Sequence, residues 1–234
     1  MSSSWKQQGR AIVGDAAFDY LGTSVALSAD AGILVVGAPG DMSNMDRKGY
    51  VRVYHTDKDD GSRIGQTIYG NAIGDLFGWS VDITTEGNNI VLGAPGYYNN
   101  TDRPGYVRVY SLDNNDEAGD DTWNQIGQDI IGEANGDEFG VSVSISEDGK
   151  MIVVGADAYD GRNGDDSGHV RVYRMDDSST SWTQVGEDID GKASVDYSGY
   201  AVSLSADGTT VAIGATGNND NGVNSGHVRI FSIK

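Results

Sequence analysis

Polar and apolar residues alternate over residues 24–28, 80–84, 142–146 and 201–205, the two-residue period of a strand with one buried face. Each alternating stretch is followed by an acid and a glycine, at Asp30/Gly32, Glu86/Gly87, Asp148/Gly149 and Asp207/Gly208, which predicts a tight hairpin turn. A solid apolar run comes next, at 34–38, 90–94, 152–156 and 211–215. Its Gly-Ala ending predicts a close approach of two backbones. A third strand follows at 49–54, 105–110, 168–173 and 226–231, reading Gly-x-Val-Arg-Val-Tyr with small changes. A fourth is predicted at 9–14, 65–70, 127–132 and 186–191, with a tryptophan ahead of it at Trp5, Trp123 and Trp182 and Gly61 in that place in the remaining unit.

The same four-strand unit therefore occurs four times with a period of about 60 residues. One such unit cannot bury both of its faces alone and must lean on its neighbours. Four antiparallel strands per repeat predict an all-β fold, a β-propeller of four blades in one domain spanning residues 1–234. The chain opens on a fourth-type strand and ends on a third-type strand, so the N-terminal strand is expected to complete the last blade and close the ring. The units then run 15–70, 71–132, 133–191, and 192–234 plus 1–14.

Charge narrows the partners. Thirty-five acids against 16 bases give a net charge of -19, which repels phosphate backbones and anionic membrane surfaces, so nucleic acid is excluded as a partner. No apolar stretch approaches the roughly 20 residues of a membrane helix, which argues against membrane insertion. No signal peptide is visible at the N-terminus. Cysteine is absent, which removes disulfides and thiolate metal sites.

Phe77-Gly78 followed by Gly93-Ala94-Pro95, and Leu21-Gly22 followed by Gly37-Ala38-Pro39, resemble the FG-GAP repeats that build the propeller head of integrin α subunits. Phe139-Gly140 with Gly155-Ala156 and Ser198-Gly199 with Gly214-Ala215 are weaker copies. The Trp-x-Gln-x-Gly and Gly-x-Val-Arg-Val-Tyr pieces are similar to FG-GAP-like repeats of extracellular proteins, and the resemblance covers nearly the whole chain. It implies an extracellular or cell-surface setting. Integrin-type repeats also carry a calcium loop of the form Asp-x-Asp-x-Asp-Gly between the first two strands. Here each such turn holds too few carboxylates for the six to eight oxygens Ca²⁺ requires.

Asp19, Asp75, Asp137 and Asp196, and Arg52, Arg108, Arg171 and Arg229, recur once per unit, which fits a repeated structural requirement better than catalysis. His169 and His227 stand where the other units have Tyr50 and Tyr106. No zinc spacing, nucleophile elbow or phosphate-cradling loop is present, so no catalytic residues are assigned. The loops after the second strand differ most between units and are the candidate recognition surface. Tyr97, Tyr98, Asn99 and Tyr159 lie in them as candidate ligand-binding residues. The third loop is the most acidic, with Asp157, Asp160, Asp165 and Asp166 as candidate Ca²⁺ ligands and a plain solvated Asp/Gly turn as the competing reading.

These readings predict a non-enzymatic interaction or structural module that binds a protein or matrix partner through its loops and requires no cofactor. A lectin-like module aided by Ca²⁺ and a hydrolase or lyase on a propeller scaffold are the alternatives. A monomer is expected, with strand exchange between chains as the other outcome.

Overall fold

The computed structural model describes residues 4–41, 47–56, 61–96, 103–113, 121–176 and 180–233. Their regular secondary structure is entirely β, in four antiparallel sheets arranged as the four blades of a propeller. Blade 1 holds β1 (Ser24–Leu27), β2 (Ile33–Ala38), β3 (Tyr50–His55) and β4 (Ile68–Tyr69). Blade 2 holds β5 (Ser80–Ile83), β6 (Asn89–Ala94), β7 (Tyr106–Asp113), β8 (Thr122–Gln125) and β9 (Ile130–Ile131). Blade 3 holds β10 (Ser142–Ile145), β11 (Met151–Ala156), β12 (His169–Met175), β13 (Trp182–Gln184) and β14 (Ile189–Asp190). Blade 4 has three strands, β15 (Ser198–Leu204), β16 (Thr210–Ala215) and β17 (His227–Ser232).

The expected fourth strand is present in blades 2 and 3, but in two pieces. Gly127 and Gly186, both at φ 75°, bend the chain between β8 and β9 and between β13 and β14, so each half pairs separately with the third strand. In blade 1 the outer half shrinks to a single bridge between Arg63 and Tyr54.

Period-two alternation explains where the core lies. Along β7, Val107 and Val109 face blade 3, while Tyr110 faces blade 1 and packs with Trp123. Three hydrophobic clusters result, one between each pair of successive blades, filled by Val51, Ile64, Phe77 and Trp123, then by Val107, Phe139, Ile152 and Trp182, then by Val153, Val170, Val211 and Ile213. The core is thus in the seams, and no blade has a core of its own.

Each seam is pinned by backbone contact. A Cβ added at Gly37, Gly93 or Gly155 would overlap the carbonyl oxygen of Gly78, Gly140 or Gly199 in the next blade. Beside each glycine a serine hydroxyl donates to that same carbonyl: Ser24 to Gly78 at 2.7 Å, Ser80 to Gly140 at 2.7 Å and Ser142 to Gly199 at 2.6 Å. The Gly-Ala endings are therefore close-approach sites, as their sequence predicts. The tryptophans add a second pin, since the Trp123 indole donates to Ile64 O at 3.0 Å and the Trp182 indole to Ile126 O at 3.1 Å.

Closure by the N-terminal strand is not observed. Residues 5–14 form no strand and Trp5 is fully exposed. The physical reason lies in the residues that follow: the Asp15 carboxylate accepts Arg52 Nη1 at 3.0 Å, and the Asp15 and Ala16 amides donate to Asp19 Oδ2. Those bonds hold the segment beside blade 1.

Candidate functional site

The connections after the second strands and the loops leading into the first strands share one end of the propeller. At that end each blade carries a buried aspartate at the same repeat position, Asp19, Asp75, Asp137 or Asp196, none more than 3% exposed. Its Oδ2 accepts the amide of the residue three before it: Ala16 at 2.9 Å, Ala72 at 2.7 Å, Ala134 at 2.7 Å and Ala193 at 3.1 Å. This closes the loop that crosses from one blade to the next. The recurring arginines likewise hold neighbouring loops, Arg108 through both oxygens of Asp129 at 2.8 Å and Arg171 through both oxygens of Asp188 at 2.8 Å. Both series do structural work in the blades, as their repetition predicts.

The remaining partners of the buried aspartate differ from blade to blade. In blade 1 the Tyr50 hydroxyl donates to Asp19 at 3.0 Å and Arg47 pairs with the other carboxylate oxygen at 3.0 Å. Blade 2 repeats this with Tyr106 at 3.0 Å and with Arg103. In blade 4, Asn218 donates to both oxygens of Asp196 at 3.2 and 3.4 Å. Blade 3 has His169 in the tyrosine position and Asp166 in the arginine position. His169 is fully buried, neither ring nitrogen has a hydrogen-bond partner, and Tyr159 packs edge-on against it at 4.2 Å. Burial, reinforced by the Arg171 charge, lowers the His169 pKa to about 4, so the ring is neutral at physiological pH.

With an acid where blades 1 and 2 have a guanidinium, blade 3 gathers uncompensated carboxylates. Asp157 is 6% exposed, and its Oδ1 has no hydrogen-bond partner. Burial, followed by the nearby Asp166 charge, raises its pKa to about 6. Glu138 is pushed up to about 7 by burial and then by the charges of Asp157 and Asp166. Asp166 is itself raised, by burial and then by Asp160 and Asp165. The Tyr197 phenol is raised by burial first and then by Asp166 and Asp157. Carboxylates shifted by burial and by one another, on a loop face, mark a candidate binding site.

The structure treats the sequence-derived candidates unequally. Tyr97, Tyr98 and Asn99 lie outside the described residues. Tyr159 is half-buried and packs edge-on against His169. Asp160 Oδ1 accepts the Asp166 amide at 2.9 Å, which closes the loop as an Asp/Gly turn does. The Asp165 carbonyl accepts the Ser194 hydroxyl at 2.8 Å. Among the described residues no group of three or more His, Asp or Glu side chains converges as metal ligands do, so Asp157, Asp160, Asp165 and Asp166 are not brought together as a Ca²⁺ cage. The turns between first and second strands are likewise self-contained, with Ser28, Ser146 and Ser205 hydroxyls donating to Asp30, Asp148 and Asp207 at 2.6 Å.

Glu138 and Asp166 had a signal of their own. Glu138 stands in a column otherwise occupied by Tyr20, Leu76 and Tyr197, and Asp166 in the column of Arg47 and Arg103, so alignment of the repeats exposes both.

No curated protein matches the chain in sequence. Among solved structures, Kuenenia stuttgartiensis hydrazine synthase superposes with a TM-score of 0.54 at 14% identity, over 98% of this chain and 50% of that one. A candidate 6-phosphogluconolactonase from Bacteroides uniformis superposes with a TM-score of 0.55 at 13% identity, over 91% of this chain and 53% of that one. The chain thus spans about half the length of either structure, and at these identities the likeness is one of fold alone. The family model of the FG-GAP repeat matches residues 5–54 and 132–173. The chain is thus similar to the FG-GAP repeat over those two stretches, and its four blades are those of a β-propeller.

Proposed function

We propose that this chain is a non-catalytic interaction module, extracellular or at the cell surface, whose loop face receives a basic side chain of a protein partner. The observation that carries the reading is the buried Asp157 Oδ1, which has no partner and lies in the field of Glu138 and Asp166. A guanidinium or ammonium group from outside would compensate this charge, in a loop where Asp166 stands in place of Arg47 and Arg103. No cofactor enters this reading. The extracellular setting rests on the FG-GAP repeats alone.

Calorimetric titration with a short arginine-rich peptide tests it. Binding is expected at pH 8 and should weaken at pH 5.5, as Glu138 and Asp157 take up protons. Asp166→Asn changes the net charge of -19 by only one unit, so its effect separates the site from the field of the whole molecule. Unaltered affinity in that variant, or no heat at pH 8, overturns the reading.

A further inference from the structure

The row of blades ends in two unlike half-seams. At the blade 4 end, Val228 and Ile230 of β17 are 69% and 71% exposed, whereas their counterparts Val51 and Val53 in blade 1 are buried at 0% and 1%. Among the described residues no strand pairs with the outer edge of β17. Space for one is present: a Cβ at Gly186 would meet nothing within 4 Å, while the matching Gly65 and Gly127 lie against the indoles of Trp123 and Trp182. At the blade 1 end, Val25 and Leu27 of β1 are 61% and 55% exposed, and a Cβ at Gly22 would meet nothing, although the matching Gly78, Gly140 and Gly199 each touch the preceding blade.

Residues 5–14 stand at that same blade 1 end. Gln8, Arg10 and Ile12 share a cleft with Leu34 and His55, and Asp15 is held by Arg52. Trp5, Gln7 and Gly9 repeat the Trp-x-Gln-x-Gly pattern of the strands that complete blades 2 and 3.

We propose that residues 5–14 of a second copy of this chain complete blade 4, and that the Val25 and Leu27 face of that copy closes over Val228 and Ile230. The three internal seams supply the register. Gln125 lies opposite Tyr110 and Gln184 opposite Tyr173, which puts Gln7 of the second copy opposite Phe231. The indole of its Trp5 then donates to Val185 O, as those of Trp123 and Trp182 do to Ile64 O and Ile126 O. The occupant is a second copy because the chain's own segment is fastened to blade 1 through Asp15 and Arg52 and does not pair with β17. The contact is head-to-tail, so copies close into a ring or extend as a filament.

Light scattering coupled to size-exclusion chromatography, over a range of concentrations, reads the result. The expected mass is a multiple of 24.7 kDa, and Ile230→Lys should return it to 24.7 kDa in a chain that still unfolds cooperatively. The chain has no cysteine, so Gln7→Cys and Phe231→Cys chains can be mixed and oxidised. A disulfide-linked dimer enriched in the mixture over either chain alone supports the proposal. A mass of 24.7 kDa at every concentration overturns it, as does a Gln7→Cys/Phe231→Cys double variant that bonds within one chain.

Discussion

At the seams the same residues recur from blade to blade, Gly37, Gly93 and Gly155 backed by Ser24, Ser80 and Ser142 respectively, whereas the nodes on the loop face share their partners in blades 1 and 2 and change them in blades 3 and 4. The difference follows from what makes each contact. A seam is two backbones in van der Waals contact, and no side chain can be added there without parting the blades. A node is a buried carboxylate that needs donors, and tyrosine, arginine and asparagine can each provide them. Seams therefore hold the fold constant while nodes are free to diverge, as blade 3 has done with His169 and Asp166.

The sharpest way to break this comparison is Gly93→Val. Its Cβ overlaps the Gly140 carbonyl and the Ser80 hydroxyl, so a loss of about 5 kcal/mol or more is expected in urea unfolding. Gly214→Ala meets only Ala201 at ordinary contact distance and should stay within about 0.5 kcal/mol of the parent. Similar midpoints for the two variants would refute the seam account. Trp123→Ala is next, at about 3–5 kcal/mol, because it empties a fully buried site and removes the donor to Ile64 O.

Node substitutions should be gentler. Arg103→Ala removes one partner of Asp75 but leaves Tyr106 and the Ala72 amide, and Arg103 is itself 32% exposed. About 1–2 kcal/mol is expected, below the 3–5 kcal/mol of a fully buried pair. A loss as large as that of Trp123→Ala would place the nodes among the determinants of the fold.

The smallest effect is in pH dependence. Glu138 and Asp157 have folded-state pKa values of about 7 and about 6, above their ordinary 4.5 and 3.8. Between those limits the folded chain holds protons that the unfolded chain has released, so their contribution to stability is full at low pH and falls as pH rises through 6 to 7. The sign is opposite for Asp129 and Asp188, held below the usual carboxylate range by Arg108 and Arg171, which lose their contribution as pH falls below 4. Glu138→Gln should melt close to the parent at pH 5 and above it at pH 8. Thermal melts at those two pH values decide this, and a parallel pH response in the two proteins would remove Glu138 from the account.

The blades were legible in the sequence because a seam demands the same residue each time it recurs. Gly37, Gly93 and Gly155 stand out as a column, and the apolar runs before them show the period of their burial. The break in the fourth strand was not legible, since Gly127 and Gly186 read equally well as the start of a strand or as a bend within one. Nor was the place of residues 5–14, because the pattern around Trp5 names the type of strand but not the blade edge it joins. The site was half legible. Asp157 and Asp166 stood out as acids, but they read as metal ligands or as a solvated Asp/Gly turn because sequence shows charge and hides direction. The packing of Tyr159 was not legible for a related reason, since nothing in its neighbourhood reveals that a histidine shorter than tyrosine leaves it a place to pack.

The serine-to-carbonyl links also bear on how the chain reaches this structure. They join residues 54, 60 and 57 positions apart, about one repeat each time. Loop-closure entropy is therefore met in equal, modest instalments, and a blade can dock as soon as the first strand of the next has been made. A chain of this design is expected to acquire its structure blade after blade during synthesis, and lengthening it by further repeats would add steps of the same kind without raising the barrier to any one of them.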